Sequence, residues 1–149
     1  MRRLAALIGA VLVVASVWYV QAPPRTAAAY RDEAKRTAET LRAQVETARL
    51  WIESVHDGSA THQAATVAFQ ETEADAIAAA SGFAAHDPPS DTDALRRDLT
   101  ALGDDVESAL GDLRILAHRE RWAELPERPT RLAELSRRLD DLAQRAGSP

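Results

Sequence analysis

Two stretches of this chain repeat one spacing of apolar residues, and that repeat decides most of what the chain can become. Ala34, Ala38, Leu41, Val45, Ala48, Ile52 and Val55 follow one another at intervals of 4, 3, 4, 3, 4 and 3. Leu95, Leu99, Leu102, Val106, Ala109, Leu113 and Leu116 do the same. A mean step of about 3.5 keeps each set on one stripe of an α-helix, whereas a strand, with period 2, would scatter it over both faces. Such a stripe is stable only against the stripes of other helices.

The breakers set the helix ends. Asp57-Gly58 closes a helix over 26–56, with Gly58 suited to a left-handed C-terminal cap. Ser59 or Thr61 caps a second helix, over 59–83, whose better face collects Ala65, Phe69, Thr72, Ala76, Ala80 and Phe83. Pro88-Pro89 forbids helix, and Ser90 with Asp93 reads as the capping pair of a third, over 92–125. The third seam passes through Gly103 and Gly111 without a phase change, which predicts one continuous helix. Pro126 and Pro129 end it, and Leu132, Leu135, Leu139 and Leu142 give a fourth helix over 129–145. Four helices with short turns predict an all-α, up-down four-helix bundle over 26–146, made of two helical hairpins, with 147–149 as a tail.

Composition agrees. Alanine fills 31 of 149 positions and aromatics only 5%, so the core is thin and its helices must approach closely. Cysteine is absent, which excludes a disulfide framework, a thiolate nucleophile and a lipoprotein anchor. The formal charge is −5; Arg2 and Arg3 are the only charged side chains before residue 25, so the remainder carries −7. That balance argues against nucleic acid, which needs a basic footprint.

A third feature sets location. Leu4 to Ala22 is a 19-residue run with no charge and no proline. As a helix it measures roughly 28 Å, close to the ~30 Å hydrocarbon core of a bilayer. Trp18 and Tyr19 suit the membrane interface, and Arg2 and Arg3 flank the other end. The expectation is therefore a short cytoplasmic tail over 1–3, a single transmembrane signal-anchor helix over 4–22, a proline-containing break over 23–25 and an extracytoplasmic bundle. A cleaved signal peptide is the competing reading, which would leave a secreted helical protein. The run exceeds the usual 7–15-residue apolar core of such peptides, and Pro23-Pro24 makes a poor site just after the cut.

Little in the chain points to catalysis. There is no Gly-x-Ser-x-Gly elbow and no phosphate-cradling glycine loop. Glu53-x-x-His56 has the spacing used in di-iron bundles, but no second copy exists and both residues lie off the apolar seam. No cofactor or metal is expected. The residues that stand out instead are Trp51 with Leu50 beside it, and Trp122 among Arg119 and Arg121. Tryptophan and arginine are enriched where proteins bind one another, so these five form the candidate partner-binding patch. In outline, an anchor followed by a helical bundle resembles the sensor region of bacterial receptors, and an anchor followed by coiled coil resembles the inner-membrane spanins of phages. The proline breaks favour the folded-back bundle. The functional expectation is a non-catalytic module held at the membrane that binds a protein partner, scaffolds an assembly or self-associates. The alternative is an extracytoplasmic small-ligand sensor or carrier.

Overall fold

The computed structural model describes residues 26–126 and 129–148. The expected anchor at 4–22, its flanking Arg2, Arg3, Trp18 and Tyr19, and the break at 23–25 lie outside those residues. Four α-helices make up the described part: α1 (Ala27–His56), α2 (His62–Ala84), α3 (Asp93–His118) and α4 (Thr130–Ala146). A 3-10 turn, Trp122–Glu124, precedes α4. No strand occurs among the described residues, and the arrangement is that of a four-helix bundle.

Cross-helix contacts fix the directions. Tyr30 at the start of α1 packs its ring on Phe83 at the end of α2, centroids 5.0 Å apart. Glu73 of α2 pairs with Arg114 of α3, and Ala80 stands over Gly103, about three turns back along α3. Asp98, Asp105 and Asp112 of α3 pair in turn with Arg145, Arg138 and Arg131 of α4. Arg42 of α1 pairs with Asp140 of α4. Each pairing joins a rising number to a falling one, so neighbouring helices run antiparallel. The α1 helix is the hub. It packs extensively on α4 and α2 and reaches α3 across the bundle.

The seams are the core. Ala34, Ala38, Leu41, Val45, Ala48 and Ile52 of α1 are all buried, and Val55 is half-buried against them. In α3, Leu99, Leu102, Val106, Ala109 and Leu113 are buried, joined by Leu110 and Ala117. All four leucines of α4 are inside. Phe69 is the largest apolar side chain that α2 buries completely. Burying a residue of that kind contributes about 1.5–3 kcal/mol, several times the share of an alanine beside it. At Gly103 a Cβ would stand 3.3 Å from that of Ala80, so the missing side chain lets α2 and α3 close up.

Three helix ends depart from expectation. The third helix stops at His118, not near 125. Glu120 takes φ 56, its N–H donates to the Ala117 carbonyl and the Arg121 N–H donates to the Leu116 carbonyl. That is a Schellman closure with glutamate where glycine is usual, so the sequence carries no stop signal there. Beyond the closure comes the 3-10 turn, which turns Trp122 and Leu125 back onto the core. The second helix starts at His62, because Thr61 rather than Ser59 accepts the capping bond, from the Ala64 N–H at 3.2 Å. Ser59 belongs to the turn: its N–H donates to Asp57 and its hydroxyl to the Ser54 carbonyl. Ser90 does not cap α3 either. Thr92 occupies that position, buried, and its hydroxyl donates to the Pro89 carbonyl at 2.8 Å. Gly58 adopts φ 74, the left-handed cap its position asks for.

Candidate functional site

The two tryptophans of the described region lie at the same end of the bundle, the end away from Thr26. Trp51 sits one turn before the end of α1, half-buried, against the core. It shares a shallow recess of 440 Å³ with Ala64, Val67, Ala68 and Glu71 of α2. Trp122 sits in the 3-10 turn, also half-buried, and stacks flat on the His62 imidazole, with centroids 4.2 Å apart and planes 5° from parallel. The first turn of α2 therefore stands between them. Thr61 and Gln63 line the Trp51 side and His62 the Trp122 side.

The other three residues of the sequence-derived patch divide. Leu50 is 62% exposed, the most exposed large apolar side chain among the described residues. Arg119 is exposed at the α3 terminus. Arg121 is exposed too, but its guanidinium is taken up by Glu124 within the 3-10 turn. The structure thus brings Trp51 and Trp122 to either side of one helix start, and places Leu50 on the outer face of α1. Two residues outside the sequence-derived patch join the surface. Val67 is 49% exposed beside Trp51, and His62 carries the Trp122 ring. Val67 could have been found, since it stands three residues from Ala64 and four from Glu71 on an outer stripe of α2. His62 and Trp122 are 60 positions apart, and no local pattern links them.

A second recess, of 630 Å³, opens at the opposite end of the same α1–α2 boundary. Phe83 and Thr37 form its buried floor, Ala78, Ala79 and Gly82 its α2 wall, and Glu33, Arg36, His86 and Asp87 its charged rim. Arg36 is held by Glu33 at 2.8 Å. Both recesses lie along the α1–α2 boundary, one toward each of its ends.

Electrostatic perturbations are few. The hydrogen bonds from Ser59 hold the Asp57 carboxyl below the usual carboxylate range. The Arg137 guanidinium does the same to Glu134, and Glu134 in turn raises Arg137. Burial pushes the Tyr30 phenol up, against the nearby Arg96 and aided by Asp93. The Tyr30 hydroxyl is buried with no hydrogen-bond partner among the described residues. Among the described residues no group of three or more His, Asp or Glu gathers in the way a metal ion requires. Glu53 is exposed, and His56 points its Nε2 to the Pro126 carbonyl, 3.3 Å away.

No helix among the described residues is long and apolar enough to cross a membrane. No protein-family model, curated protein or solved structure matches the chain.

Proposed function

We propose that this chain is a membrane-tethered, non-catalytic helical module that binds a protein partner at the end of its bundle far from the tether. The observation that carries the proposal is the placement of Trp51 and Trp122. Two large aromatics stay half-exposed on either side of the α2 start, in a chain with so few aromatics to spend. Phe69 and Tyr30, by contrast, are fully buried. Half-buried aromatics on a fixed helical frame are pre-organised anchors: docking a partner on them orders little that is not already ordered.

The tether in this reading is the apolar run at 4–22, with Arg2 and Arg3 on the cytoplasmic side and the bundle outside the cytoplasm. At about 1.5 Å per residue, α1 carries the tryptophan end ~45 Å from its own start. Confinement to a surface raises the effective concentration of the module for a partner on that surface. Trp51→Ala and Trp122→Ala in the full chain should each weaken co-purification of a cross-linked partner while helicity by circular dichroism stays unchanged. Loss of helicity would assign the rings to the core and end the proposal. Thiol labelling of Pro149→Cys in intact cells reads the orientation, and protection of that site from an impermeant reagent would reverse it.

One observation favours a second reading, a small-ligand carrier or sensor: the 630 Å³ recess over Phe83, which combines an apolar floor with a charged rim. A thermal-shift screen discriminates, because a ligand of that site raises the melting temperature and a protein-docking end does not respond to small molecules.

A further inference from the structure

The helix α2 is apolar on two faces. Its inner face, through Ala65, Phe69, Thr72, Ala76 and Phe83, builds the core. Its outer face carries Ala64, Val67, Ala74 and Ala78, all exposed. Small apolar side chains there leave the α2 backbone open to close approach, with Glu71 and Asp75 interspersed among them. The uncovered side here borders the groove between α1 and α2, with the 440 Å³ recess at Trp51 and Val67 and the 630 Å³ recess over Phe83.

Charge identifies what fits. From His62 to Ala84 there is no lysine and no arginine. Glu71 lines the first recess, and Asp75, four residues on and three before Ala78, shares its face. Neither takes part in an ion pair among the described residues, whereas Glu73 on the opposite flank is taken by Arg114. The one cation on the groove wall, Arg36, is neutralised by Glu33. The boundary thus offers apolar side chains within both recesses and, on the α2 stripe between Val67 and Ala78, two carboxylates, Glu71 and Asp75, with no ion-pair partner among the described residues.

We infer that this groove docks a basic amphipathic helix of a partner protein, with small apolar side chains seated in the two recesses and Lys or Arg between them facing Glu71 and Asp75. The inference rests on the protein-binding reading above and names the partner's chemistry. From Ala64 to Gly82 the groove runs ~27 Å, the length of an 18-residue helix. Alanines along one wall let such a helix approach closely, the geometry of helix-in-groove recognition. A second copy of this chain is a poor occupant, because pairing α2 with α2 sets acid against acid. An anionic lipid surface is repelled by the same two carboxylates.

The test uses the full chain in mild detergent and two labelled 18-residue helical peptides. Both carry leucine and alanine at the ends of one face; one has lysines at its centre and the other glutamates. Fluorescence anisotropy should show binding of the lysine peptide only, weakening as salt rises. The Glu71→Lys/Asp75→Lys pair should weaken binding at least tenfold, as should Val67→Glu, with helicity retained. Arg131→Ala, on the α4 flank away from the groove, should leave the affinity unchanged. Failure of the lysine peptide to bind, or equal binding of both peptides, overturns the inference. So does displacement by a short-chain anionic phospholipid, which would assign the groove to lipid. Binding that ignores the charge reversal but is lost in Trp122→Ala overturns the groove and leaves the tryptophan end standing. The reverse result, with partner capture unaffected by Trp122→Ala, strikes the end patch alone.

Discussion

Tyr30→Phe should make this protein more stable. The Tyr30 side chain is fully buried, and its hydroxyl finds no partner among the described residues. A buried hydroxyl without a hydrogen bond costs about 1–3 kcal/mol, since water's bonds are lost and not replaced. Phenylalanine keeps the ring that packs on Phe83 at 5.0 Å and drops only the oxygen. The expected gain is about 1 kcal/mol, which for a bundle of this size raises the melting temperature by roughly 3–5 °C.

The pH dependence gives the same substitution a second signature. Burial raises the phenol above its ordinary value, so the folded state holds the proton more tightly than the unfolded chain does. Tyr30 therefore weakens the wild type from about pH 10 upward, where unfolded tyrosine ionises, until the pH passes the folded value. The loss approaches about 1.4 kcal/mol per pH unit in that window. Urea titrations at pH 7, 9, 10 and 11 would measure it. The margin of Tyr30→Phe over wild type should be constant below pH 9 and grow above it. If the variant melts lower at pH 7, the hydroxyl has a partner and the reasoning fails. If the margin stays flat to pH 11, burial is not what governs this phenol.

Other perturbations test other parts of the frame. Glu120→Gly should stabilise by about 0.5–1 kcal/mol, because a left-handed residue with a Cβ is replaced by the one that adopts that region freely; chemical denaturation reads it. Gly103→Leu should destabilise by about 1–3 kcal/mol, since its Cβ already meets Ala80 at 3.3 Å and the rest of the side chain has nowhere to go; a rise in melting temperature would show that the α2–α3 approach is loose. Asp105→Arg alone should destabilise and Asp105→Arg/Arg138→Asp should recover most of the loss, in a double-mutant cycle whose coupling, about 0.2–1 kcal/mol, shrinks as salt rises.

The seams of α1, α3 and α4 were legible because leucine, valine and isoleucine recur there, with alanine, at heptad spacing. The inner face of α2 was legible as well: Ala65, Phe69, Thr72, Ala76 and Phe83 are buried as expected, because the two phenylalanines fix the phase of an alanine stripe. The end of α3 was hidden by Glu120, a residue that gives no hint of the left-handed cap it supplies. The candidate site was half-readable. Trp51 and Trp122 announce themselves by rarity, but their relation depends on α2 passing between them, a fact of topology. The α3–α4 ladder is the opposite case. Asp98, Asp105 and Asp112 are spaced by seven, and so are Arg131, Arg138 and Arg145, so the pattern stood in the sequence. Spacing within one helix pairs charges three or four residues apart, and a seven-residue ladder between helices lies outside that rule.

That ladder also clarifies what is unusual about α2. The α3–α4 boundary joins acids on one helix to bases on the other through three successive heptads. The α1–α4 boundary adds Arg42 to Asp140, and the α2–α3 boundary adds Glu73 to Arg114. Each of these exposed pairs contributes little energy, but together they close the outer edge of each boundary with matched charge. Along the α1–α2 boundary the only bond between charged groups across the helices is at the far end, from Arg31 to Asp91 in the turn beyond α2. Between the two recesses the acids of α2 face no base. A boundary left open, apolar and singly charged is the one place on this bundle where an added helix would bring the missing half of an otherwise repeated pattern.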